Sequence, residues 1–349
     1  MIKIFNDSKF YVFCPGNVVS GGAELLHQLV SLLRDKGRDA YIVYYSGFNG
    51  DVPSDYKKYN IVFISELSEI VDNDHHIEVL FEPMFYRATY KTKTQKILWW
   101  LSVDNFFRCS DEYLSIFDIA KWSKKQAAYA LVRRLYSSIF KRDGSLKNIY
   151  SLKDIASLDV VSAYQSEYAQ NFLQKHGFRE MFPLKDYINT EHCVDFSKDG
   201  REDIILYNPK KGLKFTQRLI ELSPDLNWVP IINMTRQQVI ELMGKAKIYV
   251  DFGFHPGKDR LPRECAMNGL CVITGYRGSA RYFEDIWINN EYKFDEKRSK
   301  KQQIIKKIRE TLDNYDAAID NFAFYRYRIS LEKQEFEREV SEFLLEDFN

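Results

Sequence analysis

KFYVFCPGNVVSGGAELLHQLVSLLRDKGRDAYIVYY, residues 9–45, decides the fold class of this 349-residue chain. Its first part, 9–14, is a short run of apolar and aromatic residues, which predicts a strand. The segment Ala23 to Lys36 predicts a helix, because four leucines fall on one face at helical spacing: Leu25, Leu29, Leu32 and Leu33. Residues 40–45 predict a second strand. The three elements form one βαβ unit, whose crossover should be right-handed.

The same alternation of short apolar runs and amphipathic stretches extends outward from this unit. Further strands are predicted at 61–64, 77–81, 96–101, 159–162, 203–207, 228–232, 247–250 and 270–274. Helices are predicted at 166–175, 213–222, 235–244 and 262–267, with 297–349 largely helical. This pattern is typical of an α/β protein with doubly wound parallel sheets. We expect an N-terminal domain at 1–185, a second domain at 186–325, and a terminal helix at 326–349 packing back on the N-terminal domain.

Composition and charge exclude several classes of protein. The chain has 50 Lys and Arg against 49 Asp and Glu, so its net charge of +1 predicts no bulk attraction to nucleic acid. Its five cysteines are scattered and include no CxxC pair, which disfavours a disulfide framework or a structural zinc site. No apolar run reaches the roughly 18 residues needed to cross a bilayer, and the first residues do not resemble a signal peptide. These features predict a cytoplasmic protein.

One segment, 110–150, departs from this balance of charge. Residues 121–147 carry eight Lys or Arg against the single acid Asp143, beside an apolar stripe at helical spacing. The segment is either a solvated helical hairpin or an interfacial element that contacts anionic lipid. We expect peripheral contact with the inner face of the membrane through this segment.

Glycine and lysine residues follow two of the predicted strands. Gly21 and Gly22 precede a helix, where the absence of side chains lets a ligand approach the helix N–H groups. The stretch is not the GxGxxG of nicotinamide-binding proteins, and a plain tight turn is the alternative. Lys210 and Lys211 follow another strand, where their ammonium groups can neutralise a phosphate. A solvated turn explains these lysines equally well.

The segment with the most candidate ligand-binding residues is 254–269, which enters a predicted helix at Pro262. Three cations lie at or near the start of that helix, at Lys258, Arg260 and Arg263. Because a helix N-terminus carries partial positive charge, they predict a diphosphate cradle. Glu264 lies two residues into the helix and has a simpler alternative as a carboxylate that complements the helix dipole. A further glycine loop, 275–280, contains Gly278 and Ser279 and could close over the same ligand.

Four of these pieces together resemble the retaining nucleotide-sugar glycosyltransferases of the GT-B fold, the family 4 type of bacterial polysaccharide assembly. The similar stretches are Gly21 to Glu24, Ser162 to Leu173, Lys211-Gly212 and Leu261 to Val272. The resemblance implies two Rossmann-like domains facing a central cleft. It also implies that Lys211 contacts the donor diphosphate, that Glu264 holds the ribose hydroxyls, and that Gly21 and Gly22 approach the phosphates.

The chain departs from the family pattern at two points. The family's first glutamate, eight positions before the second, falls at Pro256, or at His255 if one residue is inserted; Asp259 is the nearest carboxylate. The family arginine before the phosphate lysine is also absent, so that Lys210, Lys258 or Arg260 would supply its charge. These differences leave open whether the reaction retains or inverts the configuration of the sugar.

The residues also indicate how such a reaction would proceed. Cations and a helix N-terminus stabilise a departing diphosphate by preorganised electrostatics. Without a DxD cluster no divalent metal is required, and no resident cofactor is expected beyond the nucleotide-sugar co-substrate. If the reaction inverts, a base for the acceptor hydroxyl would come from the N-terminal domain, with Asp104 first and Glu82 second. A helix cap or turn residue is the alternative for Asp104.

We therefore predict a cytoplasmic glycosyltransferase, retaining and metal-independent, that moves a sugar from a nucleoside diphosphate-sugar to a glycan or lipid-linked acceptor. Its place would be cell-surface polysaccharide synthesis. A nucleotide-sugar 2-epimerase of the same fold and a non-catalytic sugar- or partner-binding subunit are the alternatives. The aromatic residues Trp99, Trp100, Phe106 and Phe107 are expected to flank the ligand, whereas Phe322, Phe324, Tyr325 and Tyr327 are expected to pack the terminal helix.

Overall fold

The computed structural model describes residues 2–109, 128, 132, 152–158, 160–189 and 196–346. Apart from Ala128 and Val132, the basic segment 110–150 and its expected membrane contact lie outside these residues. The chain forms two compact units. Unit 1 comprises Met1–Gln165, Ala169–Leu184 and Glu337–Asn349, and unit 2 comprises Ser166–Tyr168 and Lys185–Phe336. No helix in the described part of the chain is long and apolar enough to cross a membrane.

Unit 1 is built on a seven-stranded parallel sheet with the order β3-β2-β1-β4-β5-β6-β7. Its strands are β1 (Lys9–Pro15), β2 (Asp39–Tyr45), β3 (Phe63–Ile64), β4 (Ile77–Phe81), β5 (Gln95–Trp100), β6 (Val161–Tyr164) and β7 (Met181–Pro183). The order reverses between β1 and β4, and in open parallel sheets ligands bind outside the strand ends at such a reversal.

The first crossover helix, Gly21–Asp35, begins two residues earlier than predicted. The Ser20 hydroxyl accepts a hydrogen bond from the N–H of Ala23, which caps the helix and places Gly21 and Gly22 in its first turn. Gly37 follows with a positive φ of 81°, a conformation that glycine adopts without strain. The described residues up to Lys175 form three further α-helices with stated bounds, at Val103–Cys109, Leu152–Ala156 and Glu167–Lys175.

The interior of unit 1 contains aromatic residues that we expected near the ligand. Trp99 and Trp100 are fully buried, and Phe106 is buried with them. The indole N–H of Trp99 donates to the carbonyl of Leu184 at 3.0 Å, and the ring of Trp100 packs edge-on against Phe85 at 4.7 Å. Trp99 and Trp100 are successive residues of a central strand covered on both faces of the sheet, and Phe106 is buried in the helix Val103–Cys109. The expectation that these three residues flank a ligand is therefore wrong.

Unit 2 contains a four-stranded parallel sheet with the order β11-β10-β8-β9. Its strands are β8 (Glu202–Tyr207), β9 (Asn227–Pro230), β10 (Ala246–Asp251) and β11 (Cys271–Thr274). Three helices connect them: Leu213–Leu222, Arg236–Lys245 and Arg260–Met267. The second begins as predicted with Thr235, whose hydroxyl and backbone N–H exchange hydrogen bonds with Gln238 in a capping box.

The C-terminal segment is helical, as predicted, over Lys301–Asp313, Tyr315–Ala318 and Ala323–Leu344. Phe322 and Tyr325 are buried in unit 2, but Phe324 and Tyr327 are exposed, so that only half of the expected aromatic packing is present. Beyond Phe336 the chain belongs to unit 1. There the ring of Phe343 stacks on Phe182 at 4.8 Å, and the carbonyl of Leu345 accepts from the Arg38 guanidinium at 2.7 Å.

Candidate functional site

The loops after β8 and β10 meet at the carboxyl edge of the unit 2 sheet. Gly212 has a positive φ of 63°, and a Cβ there would lie 2.5 Å from the carbonyl carbon of Phe252. A Cβ on Gly253 would lie 2.5 Å from the Cβ of Lys211. Both loops therefore require glycine at these positions, and this close packing fixes the backbone from which the Lys211 side chain extends.

Lys211, predicted to contact a diphosphate, is held by a carboxylate. Its Nζ lies 2.6 Å from Oδ2 of Asp259, and about a third of the lysine side chain stays exposed to solvent. Asp259 immediately precedes the helix Arg260–Met267. The neighbouring Lys210 is exposed, and its N–H donates to the side chain of Asn208. A partly exposed ammonium group beside a helix N-terminus can bind an anion.

His255 lies completely buried between two carboxylates. Its Nε2 is 3.5 Å from Oδ1 of Asp251, and its Nδ1 is 3.3 Å from Oδ2 of Asp259. Burial lowers the pKa of His255, but the two carboxylates outweigh burial and the net shift is upward. Asp251 also accepts from the hydroxyl of Tyr249 at 2.8 Å and from the N–H of Gly253 at 2.7 Å. The arrangement fits an imidazolium ion whose charge is balanced on both sides.

The donor atoms of Asp251, His255 and Asp259 all lie within 4.8 Å of one another, a composition that divalent cations can bind. In the described part of the chain, however, these carboxylates already have partners: Tyr249 and Gly253 for Asp251, and Lys211 for Asp259. A protonated imidazole has no lone pair to offer a metal. The two carboxylates raise the pKa of His255, which favours the protonated ring; in that form one lysine and one imidazolium ion balance the two carboxylates.

Each of the three cations of the predicted cradle lies near a carboxylate of unit 2. Arg263 is completely buried, with Nη2 at 2.8 Å from Asp186 and Nη1 at 2.7 Å from Glu332. Lys258 is buried as well, with its Nζ at 2.6 Å from Glu332. The Nε of Arg260 lies 3.6 Å from Asp186. Lys258 and Arg263 thus neutralise carboxylates inside unit 2. This position favours a role in holding the helix Arg260–Met267 in place rather than a contact with a ligand.

Glu264 has a partner that sequence reasoning missed. Its carboxylate makes a two-point contact with the guanidinium of Arg236, at 2.8 and 3.0 Å. Glu264 is nearly buried, whereas Arg236 remains substantially exposed. Arg236 is the first residue of the helix after β9 and directly follows the cap residue Thr235. A cation in the first helical turn after a strand is the sequence feature by which Arg236 could have been recognised as a candidate site residue. Lys211, Glu264 and Arg236 therefore belong to loops and helices that follow adjacent parallel strands.

Gly278 and Ser279 brace the loop that carries His255. A Cβ on Gly278 would lie 1.9 Å from the carbonyl oxygen of His255, and the N–H of Ser279 donates to that oxygen at 2.8 Å. The Ser279 hydroxyl is buried and donates to the carbonyl of Gly257 at 2.7 Å. Gly278 and Ser279 therefore support the loop that carries His255. The contact that we predicted between these two residues and the donor stays a prediction.

In unit 1 the predicted residues lie at the carboxyl edge of the other sheet. Gly21 and Gly22 open the first helix, and a Cβ on Gly22 would be 3.7 Å from the Leu101 side chain. Asp104 is the second residue of the helix Val103–Cys109. Glu82 directly follows β4, and burial raises its pKa to about 8, with the Asp104 charge adding to the rise. The structure thus brings together the two carboxylates that were predicted as alternative bases.

Solved structures of GT-B glycosyltransferases match this chain along nearly its whole length. Sucrose-phosphate synthase from Thermosynechococcus elongatus has a TM-score of 0.63 at 10% identity, covering 96% of this chain and 98% of that one. Anabaena HepE in complex with UDP-glucose has a TM-score of 0.60 at 9% identity, covering 97% and 99%. WaaG, a glycosyltransferase involved in lipopolysaccharide biosynthesis, has a TM-score of 0.52 at 12% identity, covering 95% and 99%.

No model of a protein family and no curated protein matches the chain in sequence. At identities of 9 to 12% the structural likeness shows the fold. The chain has the GT-B fold, as the resemblance of its short motifs predicted.

Proposed function

We propose that this protein is a glycosyltransferase that moves a sugar from a nucleoside diphosphate-sugar to a hydroxyl acceptor. The observation that carries the proposal is the grouping of Lys211, Glu264 and Arg236 at one edge of the unit 2 sheet in a chain with the GT-B fold. Ligands of open parallel sheets bind at this edge. The three side chains have the chemistry that a nucleotide diphosphate requires.

Lys211 is the proposed diphosphate ligand. Its ammonium group is partly exposed and contacts Asp259, with which an incoming phosphate competes. His255 lies 3.3 Å from the same oxygen of Asp259, Oδ2, and remains beside it when Lys211 turns to the phosphate. Lys210 is exposed to solvent and adds a second positive charge next to Lys211. Stabilising the departing diphosphate in this way lowers the barrier to breaking the glycosyl bond.

Glu264 and Arg236 are the proposed nucleoside contacts. A carboxylate can accept hydrogen bonds from both hydroxyls of a ribose, and the two-point contact with Arg236 holds the Glu264 carboxylate in one orientation. Arg236 is exposed and can reach a phosphate or a base. In this proposal the Glu264–Arg236 pair takes the place, beside the donor, of the family's first glutamate, which this chain lacks.

Several finer properties belong to the proposal. The HepE structure holds UDP-glucose, which makes UDP-sugars the first donors to test. WaaG is involved in lipopolysaccharide biosynthesis, which supports a place in cell-surface polysaccharide synthesis. We further propose a cytoplasmic, metal-independent enzyme without a resident cofactor that acts near the inner face of the membrane. The charge balance around His255 supports the absence of a metal requirement.

Replacement of Lys211 tests the proposal. Lys211→Ala should weaken binding of UDP and of UDP-glucose at least about tenfold, since one charge-assisted contact to phosphate is lost. Lys214→Ala is the matched control, because Lys214 is exposed three residues further along the same loop and helix. Calorimetry measures nucleotide affinity, and UDP release measures turnover. Equal affinity and turnover in the wild type and Lys211→Ala would contradict the proposed role.

Product analysis separates the alternatives. A transferase yields one glycoside for each UDP released. Conversion of the donor alone into its epimer would identify a 2-epimerase instead. Tight nucleotide binding without hydrolysis or transfer across a broad panel of acceptors would identify a binding subunit.

A further inference from the structure

One carboxylate oxygen in unit 2 has two basic side chains beside it. Oδ2 of Asp259 lies 2.6 Å from Nζ of Lys211 and 3.3 Å from Nδ1 of His255. Asp259 immediately precedes the helix Arg260–Met267, but its side chain makes no capping hydrogen bond there. The carboxylate is therefore directed at Lys211 and His255 rather than at the helix, and Lys211 is the closer partner.

The His255 ring is placed so that it gains from a closer approach of Asp259. The ring is completely buried, and neither of its nitrogens makes a hydrogen bond to a residue that the structure describes. Asp251, 3.5 Å from the other ring nitrogen, is already held by the hydroxyl of Tyr249 and the N–H of Gly253. A buried polar atom without a partner loses its hydration without compensation. Nδ1 of His255 and the Asp259 carboxylate are thus poised to form the hydrogen bond that both lack.

The charges around the ring determine how its proton responds to a ligand. Burial lowers the pKa of His255, the two neighbouring carboxylates raise it, and the charge of Lys211 lowers it, with a net shift upward. On the loop after β11, Arg277 forms an ion pair with Glu296 at 3.4 Å, and its backbone carbonyl accepts from the N–H of His255. Since the ammonium group of Lys211 opposes protonation of the ring, its departure toward a ligand makes the ring hold a proton more tightly.

We propose that His255 is a positioning residue for the donor diphosphate: as an imidazolium ion it pairs with Asp259 and so releases Lys211 to the phosphate. Binding of the diphosphate is then coupled to uptake of a proton from the buffer by the ring. A neutral ring does not balance the Asp259 charge, so Lys211 stays with the carboxylate and the phosphate binds more weakly. The inference rests on the proposed glycosyltransferase function and adds a regulation of its donor site by pH.

Linkage between binding and protonation gives this dependence a definite sign. The complex holds the His255 proton more tightly than the free protein does. Affinity for the diphosphate is therefore greatest while the ring of the free protein is protonated. It falls as the pH rises past the pKa of that ring, and every complex formed in this range takes up a proton.

Calorimetry on the wild-type protein tests the coupling with UDP-glucose between about pH 6 and 8.5, a range in which the diphosphate of this ligand does not titrate. The heats of binding in two buffers with different heats of ionisation give the number of protons taken up. We expect uptake of up to about one proton. The dissociation constant should rise about tenfold across the range, the value of a hydrogen bond to a charged group. A constant affinity, or no proton uptake at any pH, would overturn the inference, and this result does not depend on the folding of a variant.

Two substitutions assign the effect to the contact between His255 and Asp259. His255→Asn keeps an N–H near the position of Nδ1 without a charge, and should weaken UDP-glucose binding about tenfold at low pH and abolish the proton uptake. In an Asp259→Asn background His255→Asn should have no further effect. The same loss with and without Asp259 would show a purely structural role for the ring and refute the coupling. His176→Asn, at an exposed histidine of unit 1, is the control and should keep the wild-type pH dependence.

Lys211→Ala separates this inference from the proposed function. Weaker UDP-glucose binding in Lys211→Ala, together with wild-type binding in His255→Asn at every pH, would leave the donor site in place and refute the role of His255. Wild-type binding in both variants would contradict the donor site as well. Weaker binding in both, with proton uptake lost only in His255→Asn and Lys211→Ala, is the expected result.

Discussion

Arg263 illustrates how a residue that a local sequence pattern singles out can have its partners far away along the chain. Its position at a helix start predicted a phosphate ligand, but the structure buries it against Asp186 and Glu332. These carboxylates lie 77 and 69 residues away along the chain, a separation that no local pattern reveals. The roles predicted for Lys211 and Glu264, which rest on a residue type directly after a strand or a helix start, stay predictions.

Removing the Arg263 charge should therefore damage stability first. Arg263→Met removes the nearest cation from buried Asp186 and one of two cations from buried Glu332, which keep Arg260 and Lys258, and should lower the free energy of unfolding by about 3–5 kcal/mol. Arg309→Met is the control, because Arg309 forms an exposed pair with Asp225 and should have little effect. Urea denaturation measures both. A stability loss in Arg263→Met no greater than that in Arg309→Met would refute the structural role.

Asp285 gives the chain a pH dependence of stability with a definite sign. It is buried, accepts from the N–H groups of Glu167 and Tyr168, and has a pKa raised by burial to about 6. Because the folded state holds this proton more tightly than the unfolded state, the contribution to stability is greatest below about pH 4 and is lost as the pH rises through 6. Asp285→Asn should remove this pH-dependent contribution to the free energy of unfolding. Thermal unfolding between pH 4 and 7 should show the wild type losing more stability than the variant, and parallel curves would contradict the assignment.

At the scale of elements, the sequence located ten of the eleven described strands to within about two residues, because their apolar periodicity is strong. The three-residue strand Met181–Pro183 and the short helices Val103–Cys109 and Leu152–Ala156 were not predicted. The shifts of two helix starts have local causes. Ser20 extends the first helix backwards by capping it, and the helix Arg260–Met267 begins two residues before Pro262, which therefore occupies its third position. The burial of Trp99 and Trp100 could not be predicted, since a fully buried strand and a ligand-lining strand have the same aromatic composition.

The contact between the loops after β8 and β10 should be intolerant of any side chain. Gly212→Ala introduces a Cβ at 2.5 Å from the Phe252 carbonyl in a backbone with positive φ, and should cost about 1 kcal/mol or more while displacing Lys211 and weakening UDP binding. Gly244→Ala is the control. Gly244 lies in the helix Arg236–Lys245 with open space around it, so alanine should stabilise the chain by about 1 kcal/mol. Equal effects of the two substitutions on unfolding by urea would contradict this description.

At the scale of the whole molecule, alternation of strands and helices was enough to predict two doubly wound sheets, and the solved structures show the GT-B fold. The course of the last helix was harder to foresee. The helix Ala323–Leu344 belongs to unit 2 up to Phe336 and to unit 1 beyond it. The periodicity of apolar residues predicts that a helix has a buried face, but it does not show which core that face covers.

The most direct test of the proposed function is a mass-spectrometric inventory of products. Purified protein would be incubated with UDP-glucose, other UDP-sugars and GDP-sugars, together with methyl glycosides as acceptors, with and without EDTA. The account predicts a new glycoside formed in equal amount to the nucleoside diphosphate released, undiminished by EDTA and reduced in Lys211→Ala. Donor epimerisation without an acceptor, or nucleotide binding with no conversion of any donor, would contradict it.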